Sequence, residues 1–290
     1  MNTLIILAAG NGTRFGGPKQ LTEFGPLNRP LMAYNIDHAY NAGYRTFIIV
    51  CQQQHEQTIK SLPCFRHYTD CQYHTVIQNN QYLPKSVTGK VQHDKPLGTA
   101  HALWCCHHLI TDNVTVINGD DYYGAQAFAL LVNANLANKN QHYLVAYPLK
   151  NTLSQYGGVN RGLCTLSTEQ QLIAISEVAN ISQSEGLIKG NIRDEREVLL
   201  SKNDLVSMNC WSFHPCIITT LMHLIEQALS SSDKANEVFL PDAVMNTISE
   251  GKVGTKVLTS HDEWFGVTYA ADSKLVHNKL ARLTEKGLFH

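Results

Sequence analysis

Leu4–Leu21 reads LIILAAGNGTRFGGPKQL: a short apolar run, then a loop in which Gly10, Gly12, Gly16 and Gly17 stand close to Arg14 and Lys19. The apolar run is the length of a buried strand. Glycines let backbone approach an anion closely. Arg14 brings a planar fork suited to phosphate oxygens, and Lys19 a compact charge. Together they suit a polyphosphate, although the stretch alone also reads as a glycine-rich turn carrying two solvated bases. Two familiar phosphate loops do not fit. A dinucleotide-binding GxGxxG would need glycine where Phe15 stands, and an acid after the second strand, where Cys51-Gln52-Gln53-Gln54 follows Val50. A P-loop needs Gly-Lys-Ser/Thr, whereas Gly17 is followed by Pro18 and Lys19.

Outward from this loop, apolar and amphipathic runs alternate. Leu4–Leu7 reads as a strand, 31–42 as a helix and 46–50 as a strand. A strand at 75–77, a helix over 99–110 and a buried strand at 114–117 continue the series, followed by a helix over 125–136 and a strand over 143–147. This order predicts a largely parallel sheet with helices on both faces. Beyond residue 150, short alternating runs at 161–166, 172–178 and 205–213 read as antiparallel strands. Two helices, 217–229 and 272–285, are expected to close the chain.

With 290 residues and 43% hydrophobic content the chain can bury a sizeable core. A net charge of -1 gives no electrostatic footprint for nucleic acid. Eight cysteines include no CxxC and read as reduced thiols. The fourteen histidines form neither HExxH nor a spaced Cys/His set. With no signal peptide or membrane span in view, the expected location is cytoplasmic, without a membrane partner.

The strand at 114–117 runs into NGDDYYG, placing Asp120 and Asp121 at its carboxyl end, where open α/β sheets bind ligands. Asp120 beside a basic glycine loop is the candidate Mg²⁺ ligand, since Mg²⁺ takes few protein carboxylates and shares its coordination with substrate phosphates. An Asp-rich turn leading to Gly124 is the alternative. PLGTAHAL, Pro96–Leu103, sets Gly98 and Thr99 at a helix start, where free N–H groups could meet a base or phosphate, or where Thr99 simply caps the helix.

LAAGxGTR followed by PK, then LGTAHA, then a strand ending in GD, resembles the sugar-phosphate nucleotidyltransferase superfamily. In the second half, YGGVNRG, Glu177 in ISEV and Asn209 in SMNCWSF are similar to its acceptor-contacting motifs, while EVFLPD and WFGVTYAAD resemble a bacterial subgroup of unassigned acceptor. The resemblance implies a Rossmann-like three-layer α/β/α fold with a mixed, mainly parallel sheet. It further implies one domain over 1–290, with a nucleotide half to about residue 150 and an acceptor half after it. Leu7, Ala8, Ala9 and Gly10 would border the base and ribose, and Gly12, Thr13 and Arg14 would hold the phosphates. Lys19 would lie between triphosphate and acceptor, Gly98 and Thr99 would touch the base, Asp120 would hold Mg²⁺, and Gly158, Glu177 and Asn209 would line the acceptor.

The implied reaction is transfer of a nucleoside monophosphate from a triphosphate, with CTP or UTP weakly preferred, to a phosphorylated sugar or similar small metabolite. Arg14, Lys19 and Asp120 would carry the chemistry. Four positions depart from the family pattern: Pro96 replaces a glutamine, Val178 a lysine, Thr268 the second metal carboxylate, and Trp211 a small residue. Asp262 and Asp272 are the carboxylates that could stand in for the missing one, Asp272 also reading as a first-turn helix acid. The departures keep a second reading open, a catalytically inactive nucleotide-binding or regulatory protein of the same fold.

Overall fold

The computed structural model describes residues 2–10, 18–88, 96–154, 157–192, 196–230, 237–267 and 271–289. The central sheet contains β1 (Asn2–Ala8), β2 (Tyr44–Cys51), β3 (Gln72–Ile77), β4 (Val114–Asn118), β5 (His142–Pro148), β6 (Val159–Leu166), β7 (Leu172–Ser184), β8 (Leu187–Ile192), β9 (Arg196–Leu200), β10 (Leu205–Phe213) and β11 (Thr255–Thr259). Its order is β9-β8-β7-β6-β10-β4-β1-β2-β3, with β5 on the other edge of β10 and β11 beside β5. β1 lies parallel between β2 and β4, and β2 is parallel to β3. The meander β6–β9 and all pairings of β10 are antiparallel.

β1 is apolar throughout because both its faces are covered. Leu4, Ile6 and Ala8 pack with Met32 and Ile36 of α1 (Leu31–Asn41) and with Phe128 and Leu131 of α3 (Ala125–Ala137). Ile5 and Leu7 meet Leu103 of α2 (Gly98–Trp104), Leu221 of α4 (Ile217–Ser230) and Val244 of α5 (Leu240–Ser249). A parallel strand between two helix layers needs this continuous apolar run. The sequence therefore yields a three-layer α/β/α arrangement around a mixed sheet.

β10 joins the two halves. One edge pairs with β5 from Leu205 to Ser212. On the other edge its start pairs with β6 through Val206 and Ser207, and its end pairs with β4 through Trp211 to Phe213. Between them the register slips at 207–210, and Asn209 takes φ +61°. Asn tolerates this left-handed conformation better than most side chains. The slip falls where β4 ends, so the two halves part around the carboxyl end of β4.

Two expectations need correction. The helix read over 99–110 ends at Trp104: Cys105 N–H still bonds His101 O, but Cys106 N–H turns back to Leu103 O and a tight turn covers His107–Leu109. A third closing helix, α5, was not expected. It buries Leu240, Ala243, Val244 and Thr247, one face at helical spacing, with Pro241 in its first turn. The remaining helix, α6 (Asp272–Glu285), packs Val276 and Leu280 against Phe24, Tyr34, Tyr122 and Phe265. Phe265 stacks on Tyr122 at 4.5 Å, and Phe265–Gly266 pairs with Asp121–Tyr122. This lays the late chain beside the end of β4.

Candidate active site

Three segments meet at the carboxyl ends of β1 and β4. Gly119 N–H bonds Leu7 O at 2.8 Å, and a Cβ on Gly119 would stand 3.0 Å from Ala8 Cβ, so only glycine brings the turn after β4 this close to β1. Gln52, at the end of β2, donates to Ala9 O at 2.8 Å, and buried Gln20 donates to Gly10 O at 3.1 Å. Two glutamine amides thus fix the carbonyls where the glycine loop departs. Gly12, Thr13 and Arg14, together with Thr268, lie outside the described residues.

Lys19, directly after Pro18, reaches Asp120: Nζ to Oδ2 is 2.5 Å, with 24% and 17% of the two side chains exposed. Lys19 Nζ also approaches Val267 O at 3.4 Å. Two residues about a hundred positions apart in sequence therefore touch.

Beside them stands Asp121, which the sequence placed at the strand end without a role. Asp121 accepts from Asn118 Nδ2 at 2.9 Å and lies 3.3 Å from Tyr123 OH. Gly266 presses on its other oxygen, leaving no room for a side chain there. Burial, then the Asp120 charge, raise its carboxyl well above the ordinary carboxylate range, against the lowering by Asn118, Lys19 and Arg161. The relay continues outward: Asn209 Nδ2 donates to Asn118 Oδ1 at 2.7 Å, and Trp211 Nε1–H donates to Asn209 Oδ1 at 2.7 Å. Trp211, wholly buried, thereby sets the orientation of the Asn209 amide.

The relay borders a cleft of about 920 Å³. Glu177, Asn209 and Thr99, expected from sequence, line it, and so do Asn160, Arg161 and Asp242, which were not expected. Desolvation raises the Glu177 carboxyl while Arg161 lowers it. Gly158 lies against Asn180, which has φ +54° at the bulge of β7, and a Cβ there would sit 3.0 Å from Asn180 Cα.

At the start of α2, Gly98 has φ +88° and faces Val238 O too closely for any side chain. Thr99 Oγ1 accepts from Leu240 N–H at 3.1 Å, so it caps α5 and not its own helix. Gln78, at the end of β3, donates to Gly98 O at 3.0 Å, which puts one more amide at this wall. Its signal was its place, the first polar residue after the apolar pair Val76-Ile77.

Of the carboxylates considered as substitutes at position 268, Asp262 is already committed. Its Oδ2 accepts from Gln126 N–H at 2.8 Å in the first turn of α3 and packs on Gly124. Asp272 opens α6 and is 6% exposed. Among the described residues no three His, Cys, Asp or Glu gather as a metal cage. No helix among them is long and apolar enough to cross a membrane.

The chain matches the nucleotidyl transferase family over residues 3–266. It is 24% identical over 254 residues to the bifunctional protein GlmU of Corynebacterium diphtheriae, covering 86% of this chain but 44% of that protein, so it spans less than half the length of this relative. A putative glucose-1-phosphate thymidylyltransferase from Bacillus anthracis, solved with sucrose, superposes with a TM-score of 0.66 at 14% identity, covering 97% of this chain and 96% of the other. The inositol-1-phosphate CTP transferase from T. maritima gives 0.65 at 15% identity, covering 100% and 98%. At these identities the two structures speak for the fold.

Proposed function

As the chain belongs to the nucleotidyl transferase family, we propose that it transfers a nucleoside monophosphate from a nucleoside triphosphate to a phosphorylated sugar or similar small metabolite, releasing pyrophosphate. The observation that carries this reading is the Lys19–Asp120 pair at the carboxyl ends of β1 and β4, with Asp121, the next residue, lining a cleft large enough for a small metabolite.

The acceptor phosphate is already ionised, so its attack on the α-phosphorus needs no general base and no covalent enzyme intermediate. What remains is to align two anions and neutralise the charge that develops. Lys19 would stand between them, with Arg14 toward the leaving pyrophosphate. Gly98 and Thr99 would border the base, while Glu177 and Asn209 would meet acceptor hydroxyls. The tilt of Asn209 is fixed by Trp211 and Asn118.

Magnesium fits the donor set. Mg²⁺ keeps several waters and is held by one or two carboxylates plus substrate phosphates. Asp120 offers one partly exposed carboxylate, now neutralised by an ammonium. Bound there with the triphosphate, the ion would act as template and Lewis acid. Asp121, partly buried against Gly266 and held by Asn118, would keep the strand end in place.

The test is pyrophosphate release with Mg²⁺ from CTP, UTP, dTTP, ATP and GTP, each against a panel of sugar 1-phosphates and other phosphorylated metabolites. Release with one pair, lost in Asp120→Ala, is the expected result. Silence across the panel while a triphosphate still binds would overturn the catalytic reading in favour of a nucleotide-binding regulatory protein.

A further inference from the structure

We propose that Arg161 holds the phosphate of the acceptor, an assignment that rests on the transferase reading of this cleft. Among the described residues lining the cleft, Arg161 is the one basic side chain, against Asp121, Glu177 and Asp242. A phosphomonoester entering such a wall brings further negative charge. Without a cation in this wall it would be repelled, and Lys19, paired with Asp120, is not among the lining residues.

The position of Arg161 suits the role. It lies on β6 opposite Val178, one residue before the pair Gly162–Glu177. Its charge is felt by Glu177 on the acceptor wall and by Asp121 at the end of β4. Arg161, Glu177 and Asp121 all line the same cleft, so the guanidinium shares a wall with both carboxylates. The acceptor phosphate must lie beside that wall to reach the α-phosphorus.

The side chain is also held in advance. The guanidinium stacks 4.8 Å from the Trp264 ring, Nε donates to Thr152 Oγ1 at 3.2 Å, one terminal nitrogen donates to Asn160 O at 2.8 Å and the other to Thr152 O at 2.5 Å. A guanidinium has five N–H groups, and these contacts use three, leaving one on each terminal nitrogen for a two-point contact. Anchoring removes most of the rotamer entropy that phosphate binding would otherwise cost. Burial lowers the arginine only to about 10, so the charge persists at neutral pH.

The experiment uses the full chain as wild type, R161K and R161Q. Each is saturated with Mg²⁺ and an α,β-methylene analogue of whichever triphosphate binds, and inorganic phosphate is titrated by calorimetry. Occupying the triphosphate site leaves the acceptor subsite as the phosphate receptor. The expected result is saturable phosphate binding by the wild type, weakened tenfold or more in R161Q and several-fold in R161K, with triphosphate affinity unchanged within twofold. A hydrogen bond to a charged group is commonly worth a loss of this size.

Equal phosphate affinity in wild type and R161Q, or no saturable phosphate binding by the wild type, overturns the assignment while leaving the transferase reading standing. If R161Q does not fold, R161K decides, since it keeps the charge and the stem but not the fork, and an unchanged affinity there also refutes the proposal. A wild type that binds no triphosphate would end the transferase reading, and the role of Arg161 with it. With an active substrate pair in hand, R161K should raise the acceptor KM and leave the nucleotide KM unchanged, which a purely structural arginine would not do.

Discussion

Replacing Asn209 with alanine removes the middle of the relay from Trp211 to Asp121 and tests two physical effects at once. The Trp211 Nε1–H loses its acceptor inside the protein, and Asn118 Oδ1 loses its donor at the edge of the cleft. An unsatisfied buried group costs about 1–3 kcal/mol. Trp211 is fully buried and bears that cost in full. Asn118 is only partly buried, so water recovers some of its share. Alanine must also adopt φ +61° without the local polar contacts that let asparagine tolerate it, which adds about 1 kcal/mol. The sum is about 2–4 kcal/mol, a large part of the stability of an ordinary domain. Glycine at 209 loses the same hydrogen bonds but meets no left-handed strain; set against glycine's greater unfolded-state entropy, the relief should leave Asn209→Gly more stable than Asn209→Ala by about 0.5 kcal/mol. Urea unfolding followed by far-UV circular dichroism measures both. An Asn209→Ala variant within 0.5 kcal/mol of wild type, or a glycine variant less stable than the alanine one, would refute the reasoning.

Three further outcomes are expected. Lys19→Ala should lower kcat by roughly a hundredfold or more while moving the melting temperature little, because a part-exposed ion pair contributes about 0–1 kcal/mol to folding but its charge faces the transition state. Steady-state kinetics beside a thermal melt will show the split, and an unchanged kcat would remove Lys19 from the chemistry. Gly98→Ala should destabilise by several kcal/mol, since it combines a positive φ with a clash against Val238 backbone, and a melt within 2 °C of wild type would contradict the geometry. His142 is fully buried and its pKa is lowered to about 4 by burial and by His214. Its unfolded form takes up a proton near pH 6.5, so stability is complete above that pH and falls by about 1.4 kcal/mol per pH unit as acid approaches pH 4. His142→Asn, which retains an acceptor for the His214 N–H, should flatten the melting temperature between pH 6.5 and 4.5. A slope equal to wild type would acquit this histidine.

The sequence carried the first half of the chain clearly because its signals are local. Buried parallel strands write themselves as apolar runs, and β1, β2 and β4 follow the runs at 4–7, 46–50 and 114–117. Lys19 and Asp120 were named from residue type and position at strand ends, and their mutual contact is what the fold adds. Less legible was everything fixed by distant partners. The α5 helix buries one face only because α4, β7 and α2 lie against it, and its opening Leu240-Pro241-Asp242 looks like a loop. Arg161 sits on a short alternating strand, where an arginine ordinarily points to water. Its contacts with Thr152, Asn160 and Trp264 make it a fixed wall of the cleft. Asp262 shows the converse case, a plausible metal acid whose real partner is the first turn of a helix more than a hundred residues earlier.

The position of β10 bears on how the chain reaches this structure. β6 to β9 form a series of neighbouring hairpins, contacts of short sequence separation that close rapidly. β4, by contrast, has to wait for a strand almost a hundred residues downstream to cover its edge. On the ribosome, the parallel β3-β2-β1-β4 platform would emerge with an open, strongly apolar border until Phe213 is made. Such borders invite pairing with other chains. The interval between synthesis of Asn118 and of Phe213 is therefore the period in which this protein has most need of a chaperone.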